Sequence, residues 1–415
     1  MKKILLHFFA IFILHGAVSA QPAFNANDWN FVLIPSFEQE AAPSNNLSSA
    51  GLNHALRFAQ LLNTQMASQQ GNLRQVYALT LSSKVDDMTP LESVEPFAVL
   101  NNSAVVTQSL TLGAATNWGT PGYFVRQIFT NQPRGNYVMA MPPSMIQPVV
   151  AALTGSNIAQ PGKNQYVVVA GIGNALSANV YDDQIAKVDK YPGIPQPLPP
   201  RAKCSQPAVK FHAKAPKDLQ PYLAQTIYLV RHVEAHPNGN FENGNYVCQG
   251  QWRALGANGR LLEIMKGKKP DYVYTTNPSN FIQCGRDCAY VRPSMTVAPF
   301  AIEHRMPIKL AEFHWSDPID LAQSLINTSS PYFQRKNVPT SILVGWEHGN
   351  IEKAVSYLFK SMYKNSEVQI PAWNFDDYDS VWVLHTDERG TLTFHNTCEG
   401  IPSAALPSTC PAYFP

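Results

Sequence analysis

Residues Thr226 to Asn238 read TIYLVRHVEAHPN. Thr226 to Val230 is a run of β-branched and large apolar residues, the composition of a buried strand. It runs straight into Arg231-His232. A buried strand that ends in a basic pair carries two cationic side chains to the carboxyl edge of a sheet, which is where open α/β sheets bind ligands. Arginine grips a phosphate through two parallel N–H bonds. Histidine serves near neutral pH as nucleophile, proton carrier or hydrogen-bond donor. The competing reading is a strand end with two solvated polar residues, so the rest of the chain has to decide.

Upstream, Tyr191 to Cys204 reads YPGIPQPLPPRAKC. Proline at this density excludes a helix or a central strand and makes a semi-rigid linker, assigned to residues 191–209. It separates residues 21–190 from residues 210–415, and the two halves repeat one another. NFVLIPSFEQEA from Asn30 faces IYLVRHVEAH from Ile227, each a strand followed by a glutamate at the same offset, Glu38 and Glu234. LSSAGLNHALRFAQLL from Leu47 faces LGANGRLLEIM from Leu255, each a polar turn and then a helical apolar period. QVYALTLSSK from Gln75 faces DYVYTTNPSN from Asp271, and TPLESVEPFAVL from Thr89 faces RPSMTVAPFAIE from Arg292. NYVMAMPPSMIQPVVAAL from Asn136 faces SILVGWEHGNIEKAVSYL from Ser341, and QYVVVAGI from Gln165 faces DSVWVLHT from Asp379. The shared order predicts an α/β fold of two tandem three-layer α/β/α domains, each with a largely parallel sheet.

The halves differ at the strand ends. Arg231-His232 faces Pro35-Ser36, Arg292 faces Thr89, and Glu347-His348 faces Pro142-Pro143. A fold that does without these charged residues in one half does not need them for packing in the other, which directs them toward chemistry. Gly171-Ile172-Gly173 follows a strand and half-resembles a dinucleotide-binding turn, but the third glycine is missing and the position follows the last matched strand. The sequence has no G-x-x-x-x-G-K-S/T loop and no G-x-S-x-G elbow.

At the amino end, Lys2 and Lys3 precede an apolar stretch from Leu5 to Leu14 and a small-residue site at Val18-Ser19-Ala20. Residues 1–20 read as a secretory signal peptide, which predicts an exported chain, periplasmic or secreted, that does not stay in the membrane after cleavage. The chain carries 31 Lys and Arg against 29 Asp and Glu. Without Lys2 and Lys3 the two balance, so charge gives no case for nucleic acid or an anionic membrane as partner. Six cysteines in an exported chain read as disulfides. Sequence spacing favours Cys284–Cys288, Cys398–Cys410 and Cys204–Cys248 over a zinc site, for which the spacing and a suitable histidine are lacking. His236, His304, His314, His385 and His395 lack ligand-like spacing and read as surface or packed residues.

On these residues the second half resembles the histidine phosphatase superfamily, in its phosphoglycerate mutase-like branch. Arg231, His232, Glu234 and Asn238 stand at the positions of that family's opening motif, with Val233 in the glycine place. Gln249, Gly250, Leu255, Gly259 and Arg260 match its next landmark, Arg292 its second arginine, and His348-Gly349 its closing motif. The resemblance spans roughly Gln225 to Arg389, and the first half resembles the same fold with the site removed. It implies a phosphomonoesterase in which Arg231 and Arg292 hold the phosphoryl oxygens and His232 becomes a phosphohistidine. It also implies that His348 donates to the phosphoryl group and that Asn238 helps orient it. It implies no metal and no cofactor, and a small phosphorylated molecule as substrate. Glu312, in Leu310-Ala311-Glu312, is the implied proton donor, with Glu347 and Glu234 as rivals. A phosphomutase, or a protein that binds a phosphorylated or anionic ligand without turnover, is the alternative.

Two departures from the pattern bear on the pocket. Val233 replaces a residue without Cβ and is expected to narrow the pocket. Trp346-Glu347 sets an acid beside the anion site. Cys284 to Cys288 forms an insertion before Arg292 that is expected to shape the rim. Within it, Arg286 reads as a loop arginine or as a third cation.

Overall fold

The computed structural model describes residues 21–25, 27–216, 224–236, 242–284, 287–334 and 339–412. Residues 1–20, Asn238 and Arg286 lie outside them. No described helix is long and apolar enough to cross a membrane.

The apolar run WNFVLIP becomes β1 (Trp29–Pro35), buried along its whole length. It is followed by α1 (Ser49–Gln65), β2 (Leu73–Leu81), α2 (Thr89–Leu100), β3 (Val105–Leu110), α3 (Pro121–Asn131), β4 (Gly135–Met141), α4 (Pro143–Thr154), β5 (Gln165–Ile172) and β6 (Ala175–Asp182). These strands form one sheet in the order β3-β2-β4-β1-β5-β6. The first four run parallel, while β5 and β6 add antiparallel. Parallel neighbours need a crossover, which α1 to α3 supply, while α4 leads to the antiparallel β5, and β5 and β6 are joined by a turn short enough only for a hairpin.

The second half begins with β7 (Lys210–Ala213) and β8 (Gln225–Arg231), then α5 (Cys248–Gly256), α6 (Asn258–Ile264) and β9 (Tyr272–Thr275). A separate hairpin, β10 (Phe281–Gln283) with β11 (Asp287–Ala289), precedes α7 (Arg292–Glu303). Then come β12 (Ile308–Leu310), α8 (Pro318–Ile326), β13 (Thr340–Trp346), α9 (His348–Tyr357), β14 (Ser380–Thr386) and β15 (Leu392–Cys398). The sheet order is β12-β9-β13-β8-β14-β15-β7. Leaving out edge strand β7, chain position maps to sheet position as in the first sheet. Both sheets are mixed, with a parallel block of four strands. The expectation of largely parallel sheets holds for that block and gives way at the hairpin edge.

Helices cover both faces, as the period-2 alternation requires. Val32 and Ile34 belong to one buried cluster, Phe31 and Leu33 to another on the opposite face of the same strand. The first cluster also contains Val230, Val273 and Leu343 of the second sheet, together with residues of α1, α2, α5 and α7. One core therefore runs between the two halves. Polar bonds cross with it: Asn46 Nδ2 donates to Met306 O at 2.7 Å, and Asn45 exchanges bonds with the backbone of Ile308.

One sequence alignment is corrected. The helices after β1 and β8 begin at Ser49 and Cys248, so Gly51 matches Gly250 and Leu255 is not the counterpart of Leu47. Both glycines lie where the helix passes the carbonyl of the preceding glutamate. A Cβ would stand 2.2 Å from Glu38 O at Gly51 and 2.5 Å from Glu234 O at Gly250, distances no side chain tolerates.

Two of the three expected disulfides are also corrected. Cys284–Cys288 forms, but the other pairs are Cys204–Cys398 and Cys248–Cys410. The tail after β15 turns back across α5, where Trp252 Nε1 donates to Thr409 O at 2.7 Å, and this brings Cys410 to Cys248. The proline-rich segment lies along the end of β15, with Ala202 N bonded to Gly400 O at 2.9 Å, and this brings Cys204 to Cys398. That segment is packed rather than free: Ile194 and Leu198 cover Trp252 and Ile401.

Candidate active site

β8 ends at Arg231, in register with Trp346 at the end of β13, and His232 N donates to Trp346 O at 2.9 Å. The two parallel strands thus deliver Arg231-His232 and Glu347-His348 to the same carboxyl edge. α7 brings Arg292 to them because it starts over the strand end. Gly345 of β13 allows that approach, since a Cβ there would sit 2.7 Å from Val297 Cγ1 and 3.0 Å from Pro293 O. Arg231, His232, Arg292 and His348 line one cavity of about 480 Å³, with His236, Glu242, Tyr290, Trp315, Glu347 and Tyr378 among its other walls.

His232 is buried. Its Nδ1 lies 2.9 Å from the carbonyl oxygen of Val233, which can only accept, so Nδ1 carries the proton and Nε2 keeps its lone pair. Burial, then the Arg292 and Arg231 charges, hold the imidazole well below its ordinary pKa. A neutral histidine with an unprotonated Nε2 is the nucleophilic form.

Both arginines are buried and stacked on tyrosines. The Arg231 guanidinium lies 4.0 Å from the Tyr378 ring centroid, and that of Arg292 lies 4.8 Å from the Tyr290 centroid. Arg231 Nη1 donates to backbone carbonyls of Asn374, Phe375 and Asp377. Arg292 Nη1 meets Glu242 Oε1 at 2.5 Å. The Nε–H groups of both arginines are buried with no partner among the described residues. Two buried guanidinium donors without acceptors, on one cavity, are an arrangement an anion completes.

Glu347 faces its neighbours rather than the cavity's cations. It caps α9 by accepting from Gly349 N at 2.9 Å and Asn350 N at 2.8 Å, and His348 Nδ1 lies 2.7 Å from Oε1. Burial pushes its carboxyl up, but His348 and the two amides outweigh burial and hold the pKa at about 2. The acid beside the anion site is thereby kept ionised, with both oxygens engaged by the start of α9. Glu234 is equally committed. It makes a bidentate pair with buried Arg253, which also binds Glu399 and Asp379.

Glu312 is not brought to the cavity. It is exposed just beyond β12, and its N–H donates to the Tyr332 hydroxyl at 3.0 Å. Val233 does not narrow the pocket either. Its side chain turns into the core against α5, and its N–H is held by Thr296 Oγ1 at 3.0 Å. His236, expected to be a surface or packed residue, lies on the cavity wall, where its Nε2 is buried without a partner among the described residues. Asn238 falls outside the described residues.

The sequence reading missed Glu242, Tyr290, Tyr378 and Arg253. Tyr290, two residues before Arg292, and Arg253, a lone cation in an apolar helix, carried a local signal. Glu242 carried none, because its meaning depends on meeting Arg292. Among the described residues there is no cluster of three or more His, Cys, Asp or Glu arranged to hold a metal ion.

At the matching edge of the first sheet, Ser36 N donates to Met141 O at 2.9 Å and Phe37 N to Ser93 Oγ at 3.1 Å, the bonds that His232 and Val233 make in the second. The backbone frame is the same, but Pro35, Ser36, Thr89 and Pro143 stand where the cations stand. A buried charge cluster recurs too. His54, flanked by Glu38 and Asp183 as Arg253 is by Glu234 and Glu399, lies 3.1 Å and 2.8 Å from the first two carboxylates.

No family model and no curated protein matches the sequence. Solved structures do. The chain is similar to SixA of Agrobacterium tumefaciens at 15% identity and TM-score 0.26, over 40% of this chain and 94% of that one. It is similar to phosphoglycerate mutase of Plasmodium falciparum at 15% identity and TM-score 0.27, over 46% and 99%. It is similar to phosphoserine phosphatase of Entamoeba histolytica at 11% identity and TM-score 0.23, over 40% and 93%. At these values the likeness carries no argument about chemistry, which rests on the site itself.

Proposed function

We propose that this chain is an exported phosphomonoesterase of the histidine phosphatase type, acting on a small phosphorylated molecule through a phosphohistidine on His232. Its second half carries the site. The first half is a degenerate tandem copy, a reading supported by the matched strand order and by the same backbone bonds around Ser36 and His232. Residues 1–20 are the export signal.

The observation that carries the proposal is the convergence of Arg231, Arg292, His232 and His348 on one cavity, with both Nε–H groups unpaired. Arg231 and Arg292 bind the phosphoryl oxygens and neutralise the charge that develops on them. His232 Nε2 attacks phosphorus, and the Val233 carbonyl, through Nδ1–H, stabilises the positive ring that results. His348, which lies beside Glu347, donates to a phosphoryl oxygen. Water then hydrolyses the phosphohistidine. About two to four orders of magnitude belong to the nucleophile and its acid partner, and the arginine cradle accounts for much of the rest.

The test is turnover of nitrophenyl phosphate and a panel of sugar, nucleotide and inositol phosphates by the mature chain. Turnover that disappears in His232→Ala, with phosphate affinity retained, is the expected result. Phosphate binding with no turnover at any pH from acid to neutral would instead make the chain a phosphate-binding protein.

A further inference from the structure

We propose that Glu242 is the catalytic acid that protonates the leaving oxygen, loaded with its proton when the phosphoryl group binds; the inference rests on the phosphomonoesterase reading above. Two carboxyl groups line the cavity among the described residues, Glu242 and Glu347. Glu347 uses both oxygens: Oε1 accepts from Gly349 N, and Oε2 from Asn350 N and Asn350 Nδ2. Its release would strip the cap from α9. Glu242 is held differently. Arg292 Nη1 at 2.5 Å, Gly244 N at 2.9 Å and Asn243 N at 3.1 Å all meet Oε1. Oε2 has no hydrogen bond among the described residues. One oxygen fixes the side chain, which is 13% exposed, and the other is left for a reacting partner.

The partner that fixes Glu242 is also the cation that a phosphoryl group takes. In the empty site Arg292 holds Glu242 ionised, against the opposing effect of burial. The other titratable groups on the cavity are His236, on the same side as Glu242, Tyr290, which precedes α7, His232, Glu347, His348 and Tyr378; Arg231 of β8 and Lys353 of α9 add positive charge. Phosphoryl oxygens that settle on Arg292 compete for its charge and place a second anion beside the carboxylate. Two anions in one cavity relieve their repulsion by binding a proton, and because Arg231 and Arg292 hold the phosphoryl group as its dianion, the proton goes to the Glu242 carboxylate, which then shares Arg292.

The step balances. His232 Nε2 bonds to phosphorus as the ester P–O bond breaks, and the Glu242 proton passes to the departing oxygen to give a free alcohol. Glu242 is left as carboxylate and the ring as a phosphoimidazolium whose Nδ1–H stays on the Val233 carbonyl. In the second step Glu242 takes a proton from water, whose oxygen bonds to phosphorus as the N–P bond breaks. Inorganic phosphate, neutral His232 and protonated Glu242 result.

The test compares the full mature chain with Glu242→Gln, whose amide oxygen still serves Asn243 and Gly244. Nitrophenyl phosphate has a leaving group that departs without a proton, while glycerol phosphate does not. The expected result is a fall in kcat of about 100-fold or more on glycerol phosphate and of less than about tenfold on nitrophenyl phosphate. Calorimetry with inorganic phosphate in buffers of different ionisation enthalpy is expected to show proton uptake in the wild type and none in the variant. Equal losses on both esters, or no loss on either, would overturn the acid role and leave Glu242 an anchor for Arg292. A wild type that turns over neither ester and takes up no proton with phosphate overturns this inference and the phosphomonoesterase reading together. Turnover lost in His232→Ala but uniformly reduced in Glu242→Gln overturns this one alone.

Discussion

His54 is the residue whose electrostatics the sequence hides most completely. It sits in the first half with both ring nitrogens against carboxylates, 4% exposed, and is therefore an imidazolium. Burial opposes the charge, but Asp183 and Glu38 outweigh it and raise the pKa to about 9. A histidine whose folded pKa is raised stabilises the fold fully below its unfolded value near 6.5, and that contribution is lost as pH rises through about 9. Unfolding free energies of wild type and His54→Gln are expected to differ most at pH 6. The gap should shrink by about 3 kcal/mol by pH 10. A gap that does not change with pH would show that His54 is neutral. Arg253 does the same work in the second half with a cation that never titrates, so the pH dependence of that cluster comes from its carboxylates instead, burial raising the Glu399 pKa to about 7. At the proposed site, Arg231, His232, Arg292 and His348 were legible in the sequence because each ends a strand or opens a helix in a readable pattern. Glu242 and Tyr378 were not, since a carboxylate or a ring acquires its meaning only from the guanidinium it meets.

Elements carry the site by where they stop. β8 and β13 end side by side, so Arg231 and His348 meet although far apart in sequence, and α7 starts with Arg292 because Pro293 sits in its first turn, where a missing N–H costs nothing. The runs that became strands and helices were readable from period and composition. Which cysteines meet was not, because the pairing depends on how the tail crosses α5 and how the proline-rich segment lies along β15. The Cys204–Cys398 bridge spans 194 residues of chain and pins that segment to the end of β15. Replacing both cysteines by serine is expected to cost about 2–5 kcal/mol, read as a lower denaturation midpoint. Reduction of the wild type, which opens all three bridges, should lower the midpoint at least as far, and a midpoint unchanged in the serine variant would mean that the bridge constrains nothing.

Across the whole molecule the decisive feature is the core shared by the halves. α1 and α2 pack toward α5 and α7, and Asn46 spends a buried amide on Met306 O. A half expressed alone leaves that apolar face to water and Asn46 or the 306–308 backbone without its partner. Residues 191–412 by themselves, which keep the Cys204–Cys398 bridge and the packed proline-rich segment, are therefore expected to aggregate or to unfold at a lower temperature than the full chain, and to gain stability when the first half is supplied in trans. A second half that is monomeric and as stable alone would remove the first half's structural role. The sequence by itself determined the alternation of strands and helices, the matched order in the two halves and the four basic residues Arg231, His232, Arg292 and His348 at strand ends and helix starts, because these are written in local period and composition. Only the tertiary structure decided which carboxylate meets Arg292, which cysteines join, and that Glu312 stays outside. Those outcomes depend on distances between segments remote in sequence, and packing alone sets such distances.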